Sequence, residues 1–364
     1  MPDPKKIFIA ATMQNDGKTT VSMGLIMSLK KRFKNIGFIK PIGQRYLIEA
    51  GYKVDEDSVL IEKICGIKSH VKDMSPIAIE KGFTESYIMG GKREALVDKI
   101  NDSFQRVSKG MDLVIIEGTG HAGVGSCFDL SNAAVAKILG APVVLITPGG
   151  IGRPIDEALL NTALFEKEGV TLRGVIVNKV MPEKYNKIKE IVQRGFERKG
   201  LDVLGVMPYR KMLSNPTVRD VLEVTDGRVL CGKEILGTVI DTTLVGAMEP
   251  HEALQYMKDG SLVITPGDRG DIVLAATGVH LAHDSGISIS GMVLTGGLMP
   301  HVEILELAKK AGIPVILAER DTYTVASRIH DMTVKIKPRD KVKIDTAIGL
   351  VEEYVDVNRI VDSL

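Results

Sequence analysis

The sequence contains no tryptophan, and its aromatic residues together make up only 4% of 364 positions. Proteins that stack nucleic-acid bases or anchor at a membrane surface rely on aromatic rings. A surplus of one charge is also missing, because 47 lysines and arginines face 46 aspartates and glutamates. No net field therefore attracts nucleic acid or an anionic membrane, and we expect neither as a partner.

Cysteines and long apolar runs are scarce as well. The three cysteines are widely spaced and odd in number, which predicts a reducing compartment without a disulfide framework or a zinc cluster. The most apolar stretch, residues 133–147, is broken by a lysine, a glycine and a proline and is too short to span a bilayer. The first predicted strand begins at Lys6, which leaves no room for a removable secretory segment. We expect a cytoplasmic protein.

The hydrophobic pattern predicts a doubly wound α/β architecture. Short β-branched runs alternate with helical segments up to about residue 350. Six runs in the first part are apolar at nearly every position, so both of their faces must be covered, as in a parallel sheet between helices. These predicted strands are Lys6–Ala10, Gly37–Lys40, Asp112–Glu117, Pro142–Thr147, Leu172–Asn178 and Val203–Met207.

A stretch rich in turn formers and charge follows the sixth strand and ends near Asp226, where we predict a domain boundary. The domains are then residues 1–226 and 227–364, and the second is a smaller α/β domain. A helix over Val342–Tyr354 is assigned to this second domain. Its predicted strands are Gly237–Ile240, Leu262–Thr265, Gly291–Leu294, Val315–Ala318 and Val334–Ile336.

The main functional signal is the segment ATMQNDGKTT, residues 11–20, between the first strand and a helical pattern. In a phosphate-binding loop, backbone amides and a helix N terminus surround a polyphosphate, the lysine neutralises its oxygens, and the next hydroxyl can ligate Mg²⁺. Ala11 replaces the usual leading glycine, and five residues rather than four precede Gly17. The alternative is a strand-to-helix turn with a fortuitous Gly-Lys-Thr. The candidate nucleotide-binding residues are Asn15, Asp16, Gly17, Lys18, Thr19 and Thr20.

Three other strand ends carry residues suited to phosphate and metal, and ligands of such sheets bind beyond the carboxyl ends of the strands. Lys40 ends the second strand, where it is either a second cation for phosphoryl transfer or an exposed lysine paired with a carboxylate. Glu117 ends the third strand as a Walker-B-type Mg²⁺ ligand or as a turn acid. Asn178 ends the fifth, where it either bonds a base edge or is a turn residue.

From the residues alone, other reactive side chains are predicted to have structural rather than catalytic or metal-binding roles. Asp57 precedes a helix, where an acid normally caps the N terminus and complements the dipole. Cys127 lacks a recognisable histidine and carboxylate, so we expect a small packed residue. His280 and His283 lie three apart on a predicted helix without an accompanying acidic motif, and we expect no metal site there.

Five segments in this order resemble the dethiobiotin synthetase family of P-loop proteins: ATMQNDGKTT, FIKPIGQ, DEDS, VIIEGTG and VIVNKV. The resemblance covers roughly residues 5–225. The following segment, with LVITPGDRGDIVLAA, GMVLTGG and VILAERDTYTVASRI, resembles the DRTGG domain. The pair is also similar to the N-terminal region of long bacterial phosphate acetyltransferases. Because their acetyltransferase domain would have to follow Leu364, we expect no acetyltransferase activity from these residues.

The resemblance implies ATP and Mg²⁺ as cofactors. Lys18 would contact the β- and γ-phosphates and Lys40 would face the γ-phosphate, so both would act in catalysis. Asn178 would read adenine. The Mg²⁺ ligands that the resemblance implies are Thr19, Asp57 and Glu117.

The acceptor is left open, because residues 42–45 read Ile-Gly-Gln-Arg where dethiobiotin synthetases have small residues and a serine that help hold a diamino acid. Arg45 suits an anionic ligand or a surface ion pair. In the second domain, Thr265–Asp271 and Thr295–Gly297 lie between a strand and a helix, and either present amides to a small anion or form tight turns.

The leading hypothesis is an ATPase or ATP-dependent ligase-like enzyme that transfers a phosphoryl group to a small carboxylate or carbamate and is modulated by the DRTGG half. The alternative is a non-catalytic nucleotide or metabolite sensor that regulates a partner such as a phosphate acetyltransferase. Related P-loop enzymes are often dimers, so a homodimer is possible.

Overall fold

The computed structural model describes residues 3–282, 286–362 and 364. The chain forms two compact units: the first contains Met1–Tyr209 and Lys337–Leu364, and the second contains Arg210–Ile336. This division differs from the boundary predicted at residue 226, which placed the whole C-terminal part in the second domain. The chain instead leaves the first unit after Tyr209 and returns to it at Lys337.

The first unit is built on a parallel sheet. Its strands are β1 (Lys5–Ala11), β2 (Ile36–Ile39), β3 (Ile42–Gly43), β4 (Tyr46–Glu49), β5 (Tyr52–Asp55), β6 (Ile77–Ala78), β7 (Leu113–Glu117), β8 (Val143–Pro148), β9 (Leu172–Val180) and β10 (Val203–Pro208). Six of them pair in the order β10-β9-β8-β1-β7-β2, all parallel. Every residue of β2 and β7 is buried, because helices cover both faces. The predicted doubly wound sheet is confirmed.

Helices surround this sheet. They are α1 (Lys18–Leu29), α2 (Glu56–Cys65), α3 (Val71–Met74), α4 (Phe83–Gly90), α5 (Arg93–Ser108), α6 (Asn132–Ile138), α7 (Gly152–Lys167), α8 (Tyr185–Glu197) and, near the C terminus, α15 (Lys341–Tyr354) and α16 (Val357–Asp362). Among the helices that the structure describes, none has both the length and the apolar character that crossing a membrane requires.

Close packing of α15 on α1 explains why the C-terminal segment belongs to the first unit. Gly24 of α1 faces Val351 of α15, and a Cβ atom at Gly24 would lie 2.5 Å from the Val351 Cβ atom. Both helices bury apolar side chains at this contact, and Val351 is fully buried. Beyond α15, the Asp356 amide donates to the Leu204 carbonyl at 2.8 Å, which joins the segment to β10. The helix therefore completes the cover of the sheet.

The connection from β2 to α2 contains short strands that the sequence did not predict. Strands β4 and β5 form an antiparallel hairpin in which Tyr46 pairs with Asp55, and β3 pairs in parallel with β6. The hairpin ends at Asp55, directly before α2 begins at Glu56. This brings the acidic segment after β5 back towards the end of β2.

The second unit contains a five-stranded mixed sheet. Its strands are β11 (Arg228–Cys231), β12 (Thr242–Val245), β13 (Ser261–Pro266), β14 (Ile289–Thr295) and β15 (Val315–Leu317), and its helices are α9 (Lys211–Ser214), α10 (Val218–Thr225), α11 (Pro250–Tyr256), α12 (Gly270–Leu281), α13 (Val302–Lys310) and α14 (Thr322–Asp331). The order is β11-β15-β14-β13-β12, with β11 antiparallel to β15 and the other pairs parallel. The prediction that the second domain has an α/β fold is thus confirmed.

Two of its predicted strands are wrong. Residues 237–240 precede the real edge strand β12, and Ile240 is buried as part of a loop that packs on the core. Residues 334–336 form no strand, and they lead from α14 back to the first unit. Both segments are short, and a run of three or four residues with two β-branched apolar side chains does not distinguish a strand from a loop.

Alternation along the strands gives this sheet two covered faces. Val263 packs in one apolar cluster with residues of α11, α12 and α13, whereas its neighbours Leu262 and Ile264 pack in a second cluster with residues of α10 and α14. Successive strand residues point to opposite faces, so both clusters are built from one sheet.

Candidate functional site

Residues 12–17 form a loop between β1 and α1 that is held from inside by Asp16. Asn15 and Gly17 have left-handed backbones, with φ of 63° and 105°. The buried carboxylate of Asp16 accepts hydrogen bonds from Thr12 Oγ1 at 3.0 Å and from the Met13 amide at 2.7 Å. Burial raises the pKa of the Asp16 carboxyl. The Asp16 side chain is therefore used within the loop, which leaves its backbone amide to face a ligand.

The N terminus of α1 opens towards this loop. Gly17 stands at the cap position, and no side chain among the described residues caps the helix there. Lys18 is buried, and its Nζ donates to the carbonyls of Met13 at 3.3 Å and Gly120 at 3.2 Å. Burial lowers the pKa of Lys18 to about 8, with a further lowering by the nearby cation of Lys40. An uncapped helix start with a buried lysine beside it is suited to an anion.

Thr19 and Glu117 meet at the edge of the sheet, since β1 and β7 are neighbours. Thr19 Oγ1 donates to Glu117 Oε1 at 3.0 Å. Glu117 is fully buried, and its Oε2 has no partner with full hydrogen-bond geometry among the described residues, although the Ser22 hydroxyl lies near enough to lower the pKa of the carboxyl. Thr20 lies half-buried in the same first turn of α1. A buried carboxylate oxygen without a full hydrogen bond needs a further group, such as a cation or water.

Lys40 follows β2 and is surrounded by carboxylates. Its Nζ lies 2.9 Å from Asp55 Oδ1 and 3.6 Å from Glu117 Oε1, and it donates a short hydrogen bond to Asp57 Oδ2. Burial by itself lowers the pKa of Lys40, but the three carboxylates outweigh this and raise the pKa above its ordinary value. Burial raises the pKa of the Glu117 and Asp55 carboxyls. Lys40 is therefore paired with carboxylates, as one of the two alternatives predicted from the sequence, but its side chain is buried rather than exposed.

Asp55 and Asp57 divide two tasks between them. Asp55 caps α2 by accepting from the Asp57 amide at 3.0 Å, which leaves the Asp57 side chain directed at Lys40. The capping role that the residues alone suggested for Asp57 therefore falls to Asp55. Asp55 is a site residue that the sequence did not single out, although it stands one position before the first helical residue, where a capping aspartate is common.

The loop after β7 is held by Asn132, the first residue of α6. Asn132 Nδ2 donates to the carbonyls of Thr119 and His121, both at 2.7 Å, and its Oδ1 accepts from the Thr119 amide at 3.0 Å. Gly118 is needed here, because a Cβ atom would lie 2.8 Å from Asn132 Oδ1. These bonds fix the positions of Glu117 and of the Gly120 carbonyl that Lys18 uses.

Asn178 and Lys179 of β9 support the loop of residues 12–17, the phosphate loop, from the side opposite Glu117. Asn178 Nδ2 donates to the Asp16 carbonyl at 2.8 Å, and Lys179 Nζ donates to the Asn15 carbonyl at 2.6 Å. A Cβ atom at Gly17 would overlap the Asn178 amide nitrogen. Lys179 was not singled out from the sequence, and its left-handed backbone, with φ of 62°, marks it as specially placed.

Two further candidates have protein partners, and a third lies outside the described residues. Arg45 Nη1 lies 4.0 Å from Glu56 Oε1, and about half of the arginine side chain is exposed. Of the two alternatives for Arg45, an anionic ligand or a surface ion pair, this contact favours the surface ion pair. His280 accepts a hydrogen bond from the Ile289 amide. His283 lies outside the described residues.

The two glycine-containing loops of the second unit are internally bonded. Arg269 donates to both carboxylate oxygens of Asp271 at 2.9 Å and to the carbonyls of Ala247 and Met248. Its guanidinium is thus used by the protein. Gly297, with φ of 65°, donates its amide to a carbonyl after β15. Both observations favour the tight-turn interpretation over an anion site.

Cys127 is exposed, in a short 3₁₀ turn over residues 126–128, which is contrary to the expected packed residue. Cys65 and Cys231 are buried, and burial raises the pKa of the Cys65 thiol to about 12.

At pH 8, iodoacetamide should label Cys127 at least about tenfold faster than either buried cysteine, because reaction needs an accessible thiolate. Peptide mass spectrometry measures the three rates, and unfolding in guanidinium is the control that should equalise them. Equal rates in the folded protein would contradict this placement.

The donor set fits a cation that arrives with a phosphate. Within the part of the chain that the structure describes, no three His, Cys, Asp or Glu side chains form a ready metal-binding group. Mg²⁺ commonly takes one or two carboxylates and completes its shell with phosphate oxygens and water. Thr19, Asp57 and Glu117 carry oxygen atoms of this kind, and Thr19 Oγ1 and Glu117 Oε1 already lie 3.0 Å apart.

A parallel sheet whose first strand runs through a glycine-lysine-threonine loop into a helix defines a P-loop NTPase fold. Residues 5–217 match the AAA_26 family, an AAA domain, and residues 220–332 match the DRTGG domain. The first match spans more than half of the sequence, and the chain belongs to the AAA_26 family, joined to a DRTGG domain. The predicted combination of a P-loop domain and a DRTGG domain is confirmed.

Two curated relatives are phosphate acetyltransferases. That of Nitratidesulfovibrio vulgaris is 29% identical over 361 residues, and that of Synechocystis is 26% identical over 370. The alignments cover 96% and 98% of this chain but 50% and 51% of the relatives, so the chain spans about half the length of the curated relatives it matches. The predicted similarity to a region of long phosphate acetyltransferases is confirmed.

A solved structure with some likeness is the septum site-determining protein MinD of Pyrococcus horikoshii, complexed with Mg-ADP. It is 14% identical, with 58% of this chain and 83% of that chain covered and a TM-score of 0.34. This overlap is too low to carry an argument about function.

Proposed function

We propose that the first unit binds ATP with Mg²⁺ and hydrolyses it or transfers its γ-phosphoryl group to a small carboxylate or carbamate. The observation that carries the proposal is the convergence of Lys18, Thr19, Lys40, Asp57 and Glu117 at one edge of the sheet, beside an uncapped helix N terminus. Phosphoryl transfer depends mainly on positioning and on stabilising charge, for which such a group is suited.

Each residue has a proposed role. Lys18 contacts the β- and γ-phosphates, and Lys40 faces the γ-phosphate. The backbone of Asn15, Asp16 and Gly17 surrounds the phosphates together with Thr20. Asn178 lies against the loop and reads adenine with the amide hydrogen that the Asp16 carbonyl does not use. Thr19, Asp57 and Glu117 would hold the Mg²⁺ ion, which would supply positive charge that stabilises the phosphates.

The proposal includes a cytoplasmic location and a homodimer. Free cysteines at positions 65, 127 and 231 support a reducing compartment. The DRTGG half modulates the first unit in this proposal.

A second candidate is a nucleotide sensor that regulates a partner such as a phosphate acetyltransferase. It is favoured by the coverage of the relatives, since this chain corresponds to about half of proteins that carry that name. The two candidates differ in turnover, because a sensor needs binding but little hydrolysis.

The test is equilibrium binding and hydrolysis of ATP and GTP by the whole chain, with and without Mg²⁺. Lys18→Ala should weaken ATP binding by about 100-fold, because charge-assisted phosphate contacts contribute about 2–3 kcal/mol. Glu117→Gln keeps the shape of the side chain and should remove the Mg²⁺ dependence and phosphate release. Lys167→Ala, at an exposed position of α7, is the matched control and should change neither.

The outcomes separate the candidates. Phosphate release that Lys18→Ala abolishes supports the enzyme and justifies a screen of carboxylate and amine acceptors. Tight Mg²⁺-dependent binding without release supports the sensor. If neither the wild type nor the control binds a nucleotide, the proposal is wrong.

A further inference from the structure

The start of α7 lies beside the phosphate loop, and its backbone is held in place there. The Thr147 hydroxyl, near the end of β8, donates to the Pro154 carbonyl at 3.1 Å. A Cβ atom at Gly149 would lie 2.6 Å from the Lys179 carbonyl, so the chain between β8 and α7 runs against the residue whose ammonium bonds the loop. Arg153, the second residue of α7, therefore has a fixed backbone next to the loop.

Glu157, one turn further along α7, connects Arg153 to the loop. Its Oε1 accepts from Arg153 Nε at 2.6 Å, and its Oε2 lies 3.4 Å from Thr12 Oγ1. The same Thr12 hydroxyl bonds the Asp16 carboxylate within the loop. The hydrogen bond and the charge of Glu157 raise the pKa of the Arg153 guanidinium, and the charge of Asp16 raises it further. The guanidinium is thus within electrostatic reach of the loop.

Little holds the Arg153 side chain in this ion pair. The side chain is 74% exposed, and among the described residues its guanidinium has no hydrogen-bond partner besides Glu157. Exposed ion pairs between positions four apart on a helix contribute little to stability. A guanidinium carries its N–H groups in a planar fork that fits two phosphate oxygens, and here most of these donors remain for a ligand.

Lys18 marks the end of the loop at which terminal phosphates would lie. Its Nζ donates to the Met13 carbonyl at 3.3 Å, and in the proposed function it contacts the β- and γ-phosphates. Met13 follows Thr12, the residue that Glu157 approaches, so Arg153 lies at this same end of the loop.

We infer that Arg153 is a specificity-determining residue that recognises a triphosphate by its terminal phosphate. Rotation of the side chain moves the guanidinium from Glu157 to two oxygens of that phosphate, while Glu157 stays beside Thr12. The exchange is favourable because a single exposed hydrogen bond is replaced by a two-point contact with a more highly charged anion. The inference rests on the proposed function for the identity of the ligand, and it adds the residue that distinguishes a triphosphate from a diphosphate.

The test compares two ligands by isothermal titration of the full chain in Mg²⁺: a non-hydrolysable ATP analogue and ADP. Arg153→Ala should bind the ATP analogue at least about tenfold more weakly than the wild type and ADP within about twofold, because ADP lacks the phosphate that Arg153 contacts. Arg153→Lys keeps the charge without the fork and should show an intermediate loss. Arg194→Ala is the matched control, since Arg194 forms the same kind of exposed pair with Glu190 on α8, and it should bind both ligands as the wild type does.

A purely structural role for Arg153 predicts a different result. If its pair with Glu157 served only to support the loop, Arg153→Ala would weaken both ligands equally and lower the melting temperature. Equal losses for the ATP analogue and ADP, or wild-type affinity for the ATP analogue, would overturn the inference and leave the proposed function standing.

Inorganic polyphosphates separate the inference from the proposed function, because tripolyphosphate and pyrophosphate differ by one phosphate and carry no base. Suppose that the wild type binds no ATP but prefers tripolyphosphate to pyrophosphate, and that Arg153→Ala loses this preference. The proposed function would then be rejected and the phosphate contact of Arg153 retained. A wild type that binds neither a nucleotide nor a polyphosphate would reject both.

Discussion

Gly24→Ala should destabilise the first unit by about 2 kcal/mol, the usual cost of forcing an extra methyl group into a close-packed core. A glycine-to-alanine change within a helix ordinarily stabilises it by about 1 kcal/mol, so the expected loss of stability is opposite in direction. The added Cβ atom would lie 2.5 Å from the Val351 Cβ atom, which side-chain rotation cannot move. Either α1 or α15 must therefore shift. Denaturant unfolding followed by circular dichroism measures the loss.

A control for this prediction exists on the partner helix. Gly349 of α15 has no neighbouring atom within 4 Å of where a Cβ atom would be, so Gly349→Ala should stabilise the protein by up to about 1 kcal/mol. On a Val351→Ala background, which lacks the two Cγ methyl groups but keeps the Cβ atom, Gly24→Ala should destabilise the protein less than it does on the wild-type background. Stabilisation by Gly24→Ala would show that α15 does not pack on α1.

This contact marks the limit of what the sequence predicts about the fold. The strands of the first sheet were predicted because burial on both faces leaves nearly continuous apolar runs, as in residues 113–117. The helix of residues 341–354 was predicted too, but its partner was not. Local periodicity carries no information about which of two sheets a helix covers, and the pairing of Gly24 with Val351 joins positions more than 300 residues apart.

The candidate site was predictable to the extent that chemistry follows strand ends. Lys40, Glu117 and Asn178 were singled out because each stands where a buried strand stops. The structure places Asn178 against the phosphate loop, Glu117 against Thr19 of the following helix, and Lys40 beside Glu117. Asp55 was not singled out, because the β4–β5 hairpin that brings it to Lys40 was not predicted from the sequence. Lys179 was missed for another reason, since only the bond of its Nζ to the loop reveals its role.

The conformation of the phosphate loop itself gives the prediction with the largest expected effect on binding. Gly17 has φ of 105°, a conformation that costs a residue with a side chain about 1–3 kcal/mol. A methyl group there would also overlap the Asn178 amide, which is buried and bonded to the Asp16 carbonyl. Gly17→Ala should therefore lower the affinity for ATP by about 100-fold or more, because the strain and the displaced loop amides act together.

Isothermal titration with ATP and Mg²⁺ measures this loss, and thermal unfolding reports the strain without a ligand. Gly152→Ala is the matched control, since Gly152 also stands at the start of a helix but has open space around it, and it should bind ATP as the wild type does. Adding Asn178→Ala to Gly17→Ala removes the overlap but not the left-handed backbone, so stability should recover only in part. A Gly17→Ala protein with wild-type affinity and stability would mean that the loop adopts another conformation, in which neither Asn178 nor Lys179 supports it.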